Sequence, residues 1–134
     1  MSGYLVDASV WAAYLRGEKA AIKARVDTLL DENRASISGF ILAELLAGIA
    51  GEKDREFIEE CFLGLPWLEA TRATFMAAGK MGATLRKKGV TVPLSDLLLA
   101  ALAKAHGLTV LTLDHPAQSL ARLLGVQMEW LRGS

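Results

Sequence analysis

Five short apolar runs, separated by segments with helical periodicity, set the narrowest limit on what this chain can fold into. Tyr4-Leu5-Val6 runs straight into Asp7, and Ala35-Ser36-Ile37-Ser38 into Gly39. Residues 66–69, 108–113 and 126–131 are further strand candidates. Between them, apolar residues recur at the three-to-four spacing of a helix face over 9–16, 18–33, 40–50, 54–63, 71–88, 95–106 and 117–124. Gly51, Gly89 and Gly107 follow three of these segments as stop signals. Strands that alternate with helices predict a parallel sheet covered on both faces, a three-layer α/β/α fold with four to five short strands. In such sheets the site lies beyond the carboxyl ends of the strands, so the polar residues just after each strand carry the most information.

Size and charge narrow the function. A chain of 134 residues is expected to form one domain, spanning 1–134, and it can bury about two-thirds of its unfolded surface without disulfides or a structural metal. Lys+Arg and Asp+Glu are 15 each, which excludes binding of nucleic acid by bulk positive charge. Contact with a phosphate backbone would therefore be local. The single cysteine, Cys61, excludes an intrachain disulfide and is expected in the core. The N-terminus lacks the basic and long apolar regions of a secretory signal. No charge-free stretch approaches the ~20 residues of a membrane helix. A soluble, cytoplasmic protein is expected.

Four carboxylates fall at one predicted edge. Asp7 follows the first strand, where an N-cap is the ordinary explanation. Glu44 lies among Phe40, Ile41, Leu45 and Leu46, and a carboxylate so placed is rarely buried unless paired or bound to a metal. Asp96 opens a helix, where it complements the dipole. Asp114 ends the Val110–Leu113 run and precedes Pro116, as a turn residue can. Each explanation holds alone. Together the four acids would repel one another, and a cluster of that kind persists when a cation offsets it. Hard oxygen ligands select Mg²⁺ or Mn²⁺, and no Cys/His spacing selects zinc.

The ordered set resembles the PIN domain. Leu5-Val6-Asp7-Ala8-Ser9-Val10-Trp11 is similar to its opening, Ala43-Glu44 to its second acidic motif, Gly89 to Ala101 with upstream Arg86 to its third, and Thr112-Leu113-Asp114 to its fourth. The length resembles that of VapC toxins of toxin–antitoxin pairs. The resemblance implies a PIN-like α/β/α fold and a metal-dependent endoribonuclease. Asp7, Glu44, Asp96 and Asp114 would hold one or two Mg²⁺ or Mn²⁺ ions, supported by Ser9 and Thr112. It also implies RNA as substrate, an antitoxin as partner, and a homodimer. Two positions depart from the pattern: Ala8 stands where relatives often have Thr, and Leu120 near the place of an aromatic residue after the last acid.

Further residues invite a functional reading. Arg86, Lys87 and Lys88 form the one local basic cluster, either a helix end that suits the dipole or a rim for substrate phosphate. Arg16 is a weaker candidate for the same role. Trp11, Tyr14 and Leu15 with Phe40, Leu45 and Leu46 are either core or an apolar groove for an antitoxin helix. Met76 and Met81 read as packing residues, His106 as a partner of a helix dipole, and His115 as a turn residue. Competing functions are a PIN nuclease of RNA processing, a silent PIN-like module that binds RNA or protein, and an aspartate-nucleophile phosphatase. Ser9 stands where the phosphatase would carry its second acid.

Overall fold

The computed structural model describes residues 3–17, 19–113 and 117–131, with the backbone alone for 117–120. Five strands form one parallel sheet: β1 (Tyr4–Val6), β2 (Ala35–Ser38), β3 (Trp67–Leu68), β4 (Thr109–Thr112) and β5 (Met128–Trp130). Their order is β3-β2-β1-β4-β5. The helices are α1 (Ala8–Arg16), α2 (Ala20–Asp31), α3 (Gly39–Ala47), α4 (Glu52–Leu63), α5 (Arg72–Lys87), α6 (Leu94–His106) and α7 (Ala117–Leu124).

From β1 the chain steps outward to β2 and β3, then returns past β1 to β4 and β5. Right-handed crossovers taken in opposite directions put their helices on opposite faces, α1 to α4 on one and α5 to α7 on the other. This is the three-layer arrangement expected from the alternation. Strands in the middle of such a sheet are covered on both sides, and Leu5, Val6, Val110 and Leu111 are fully buried. Under the second face lies α6, in which every residue from Leu97 to Ala103 is buried. A helix apolar all round belongs between layers, with the sheet on one side and α5 on the other.

Several helix ends differ from expectation. The α2 helix starts at Ala20 and ends two residues early, at Asp31, and α4 begins two residues early, at Glu52. The α3 helix stops at Ala47 with Gly48 as its cap, three residues before the expected Ala50. Gly48 closes the helix with φ −88°, an ordinary value for any residue. Its glycine identity therefore gave no stronger stop signal than Gly51. By contrast, Gly89 has φ +80°, which a side chain rarely adopts. There the amide of Val90 returns to the Leu85 carbonyl at 2.9 Å and turns the chain toward α6. Gly82 lets the two helices close up, because a Cβ there would meet Leu97 at 2.9 Å. The last turn of α5 thus lies beside the first turn of α6.

Candidate active site

The parallel pairing of β1 with β4 brings Asp7 and Thr112 together at the carboxyl edge of the sheet. The Asp7 amide donates to the Leu111 carbonyl at 2.9 Å, which fixes the backbone. Asp7 occupies the N-cap position of α1, yet its side chain makes no capping bond. Instead, its Oδ2 accepts from Ser9 Oγ at 2.9 Å and from Thr112 Oγ1 at 3.0 Å. Ser9 Oγ also accepts from the Leu113 amide at 3.4 Å. Two hydroxyls on one carboxylate oxygen fix its orientation. The capping explanation for Asp7 is thereby displaced: two other groups hold the side chain.

Glu44 projects from the sixth position of α3. It is exposed, so burial among apolar neighbours is not what marks it out. The exposed Ala43 and Ala47 beside it open that side of the helix to solvent. Its carboxyl is nevertheless pushed above the usual range, first by partial desolvation, then by the charges of Asp7 and Asp96. All three influences act in the same direction. Glu44 therefore shares an electrostatic environment with Asp7 and with Asp96, which is half-buried in the first turn of α6. Asp114 and His115 lie outside the described residues. Among the described residues no three acidic, imidazole or thiol side chains are close enough to hold a metal ion between them. The donors on this edge, Asp7, Glu44 and Asp96, are carboxylate oxygens that feel one another's charge, a donor chemistry that fits a hard divalent cation.

A cleft of about 410 Å³ opens beside the acids, between α1 and α3. Ala8, Ala12, Leu15, Leu45 and Ile49 give it an apolar floor, Ser9 and Glu44 line it, and Arg16 and Asp54 also border it. Arg16 is exposed, as are Arg86, Lys87 and Lys88 at the end of α5. Trp11 does not line the cleft. It is 1% exposed and meets Phe62 edge-on at 4.8 Å, which places it in the core. Leu45 is buried, while Tyr14, Leu15, Phe40 and Leu46 are half-buried. The cleft thus keeps Leu15 and Leu45 of the expected groove and adds Ala8 and Ala12, small residues that periodicity did not single out. Met76 is exposed at 56%, against the expectation that it packs inside, and Cys61 is half-buried.

The PIN domain family model matches residues 4–123. The chain belongs to the PIN-domain family. Among curated relatives of this PIN domain is Ribonuclease VapC11 of Mycobacterium tuberculosis, 32% identical over 127 residues, covering 92% of this chain and 95% of the relative. VapC ribonuclease Mb1587 of Mycobacterium bovis matches over the same shares. Among solved structures, VapBC from Salmonella typhimurium in a DNA-bound crystal superposes with TM-score 0.79 at 25% identity, over 96% of this PIN domain and 98% of that chain. VapBC2 from Rickettsia felis, bound to a promoter DNA fragment, gives 0.81 at 20% identity, over 96% and 98%.

Proposed function

We propose that this PIN domain is an endoribonuclease, the toxin of a toxin–antitoxin pair, and that it uses a divalent cation held by Asp7, Glu44, Asp96 and Asp114. The observation that carries the reading is the Asp7 carboxylate, held by Ser9 and Thr112 and within electrostatic reach of Glu44. The VapC ribonucleases that the chain matches along most of its length support the RNA substrate. When bound, Mg²⁺ or Mn²⁺ supplies a more acidic water and stabilises charge on the non-bridging phosphate oxygens.

The side chains divide the remaining work. Asp7 presents its second oxygen in a fixed direction, because Oδ2 is occupied by two hydroxyls. Glu44 and Asp96 approach from helices on opposite faces of the sheet, so the acids close around the strand ends rather than stacking on one helix. Water attacks phosphorus in line, the bond from phosphorus to the 3′ oxygen breaks, and that oxygen leaves as a hydroxyl. The products carry a 5′-phosphate and a 3′-hydroxyl. Arg86, Lys87, Lys88 and Arg16 hold substrate phosphates at the rim. The apolar cleft between α1 and α3 receives an antitoxin segment, and the toxin pairs with a second copy. The VapBC structures similar to this chain support the antitoxin partner.

The test needs no knowledge of the natural RNA. Mn²⁺ binding is measured by calorimetry on the wild type and on folded Asp7→Asn and Asp96→Asn, followed by cleavage of a 5′-labelled single-stranded RNA. Removing one ligand is expected to lower cleavage by about 100-fold or more and to collapse metal binding, and EDTA should abolish turnover. Wild-type protein that binds neither Mn²⁺ nor RNA would sink the proposal. RNA binding without metal-dependent cleavage would make the chain a silent PIN-like binding module instead.

A further inference from the structure

Between Glu69 and Asp96 the chain carries five basic side chains and no acidic one. This stretch is α5 and the turn into α6, in a protein whose overall charge is zero. Arg72, Lys80, Arg86, Lys87 and Lys88 are all exposed and form no ion pair among the described residues. On the ordinary rules of helix surfaces, basic residues at the C-terminal turn suit the dipole, but Arg72 at the first position opposes it. The helix dipole therefore does not account for Arg72.

The helical period sorts these residues. Arg72, Phe75, Met76, Gly79, Ala83 and Arg86 fall on one outward strip, opposite the buried Ala78 and Leu85. Phe75 and Met76 are 53% and 56% exposed. Gly79 lies mid-helix with nothing within 4 Å of where a Cβ would stand, whereas a Cβ at Gly82 would strike Leu97. A glycine inside a helix is less favourable than alanine. Gly82 recovers that cost inside the fold and Gly79 does not. At 1.5 Å per residue the two arginines are about 21 Å apart. The strip ends where α5 meets the first turn of α6, at Leu94, 62% exposed and two residues before Asp96.

We infer that this outer strip of α5 is the track along which a single RNA strand runs into the acidic site. The inference rests on the ribonuclease reading and names the part of the substrate that lies outside the cut. Arg72 and Arg86 take phosphates at the two ends of the track. Phe75 offers a face for one unpaired base, a contact indifferent to base identity. Gly79 leaves the strand room to approach the helix backbone. At the spacing of a stacked strand, the track spans about six nucleotides. A second copy of this chain is a poorer occupant. Two-fold pairing of the strip about Gly79 would set Arg72 against Arg86, and like charges opposed across an interface are costly.

The test uses fluorescence anisotropy of labelled single-stranded RNAs, 4 and 14 nucleotides long, in EDTA so that nothing is cut. Wild type, Arg72→Glu, Phe75→Ala and Gly79→Leu are compared, with sedimentation and thermal melting run on each. Leucine at 79 fits open space and a helix, so that variant tests crowding without harming the fold. The track predicts tighter binding of the longer RNA by the wild type and about tenfold weaker binding of it by each variant. It also predicts a salt dependence shallower by about one phosphate contact in Arg72→Glu. If the wild type binds and all three variants match it, the track is wrong and the ribonuclease reading stands. If the wild type binds neither RNA, the track is wrong, and the ribonuclease reading is decided separately by the Mn²⁺ binding and cleavage experiment above. A changed oligomeric state with unchanged RNA affinity would make the strip a subunit interface and overturn the proposal.

Discussion

Thr112→Val keeps the shape of a side chain that is 2% exposed and deletes one of the two hydroxyls on Asp7. A hydrogen bond to a charged group contributes about 1.5–3 kcal/mol, so the variant should lose stability of that order in urea unfolding at neutral pH. Cleavage should fall as well, because Asp7 is then oriented by Ser9 alone. Unchanged stability would mean that Thr112 is packing and not support. At this scale the sequence was informative wherever chemistry followed from position. Asp7 after a strand, with Ser9 two residues on, is legible from order and residue type. Glu44 was found for a reason the structure overturns: its neighbours suggested burial, whereas the residue is exposed and its environment is shared with other acids. Trp11 was ambiguous because periodicity identifies the inward face of α1 but cannot distinguish a core from a groove.

The α4 helix offers the clearest case at the level of an element. Only Ile58 and Phe62 of its twelve residues are buried, against seven consecutive buried residues in α6. The edge-on packing of Phe62 against Trp11 is therefore a large part of what seats it. Phe62→Ala should cost about 3–5 kcal/mol, the range for losing a buried aromatic ring. Hydrogen exchange should show that loss first in α4. Equal acceleration across α6 would mean that the helix is not a separate cooperative unit. The strands and helices themselves were readable, and the ends of α2 and α3 were not. A helix boundary depends on which of several weak stop signals the tertiary contacts favour, and Gly48 and Gly51 differ in nothing the sequence displays. The outer face of α5 was missed for a related cause. Periodicity finds the side that packs, and says only that the other side is free.

Across the molecule, one polar cluster ties together segments far apart in the chain. Arg25 of α2 holds the Glu129 carboxylate of β5 through two nitrogens, at 2.8 and 2.9 Å, and donates to the Tyr4 hydroxyl of β1 at 2.8 Å. Tyr4 in turn donates to Glu129 at 2.9 Å. The Arg25 hydrogen bonds hold the Glu129 carboxyl below its usual range, helped by Tyr4 and by the charges of Arg25 and Arg34. A carboxylate lowered in the folded state stabilises the protein above its unfolded pKa, and that contribution is lost as pH falls through the folded value. Glu129→Gln should therefore be less stable than the wild type at neutral pH, and the difference should shrink on acidification in melts followed across the acid range. A constant gap would assign the effect to packing. No spacing rule pairs residue 25 with 129, which is why this cluster was invisible before the fold was known. The strand order has a consequence for synthesis. Of the strands β1 is made first and is flanked by β2 and β4, and the second of the two hydroxyls that steady Asp7 arrives 105 residues later. If the acids are the catalytic set proposed above, a ribosome producing this chain carries no complete site until β4 has been made. Asp7 and Thr112 meet only after residue 112 has emerged, and under the proposed function an antitoxin present by then meets the enzyme as its site forms.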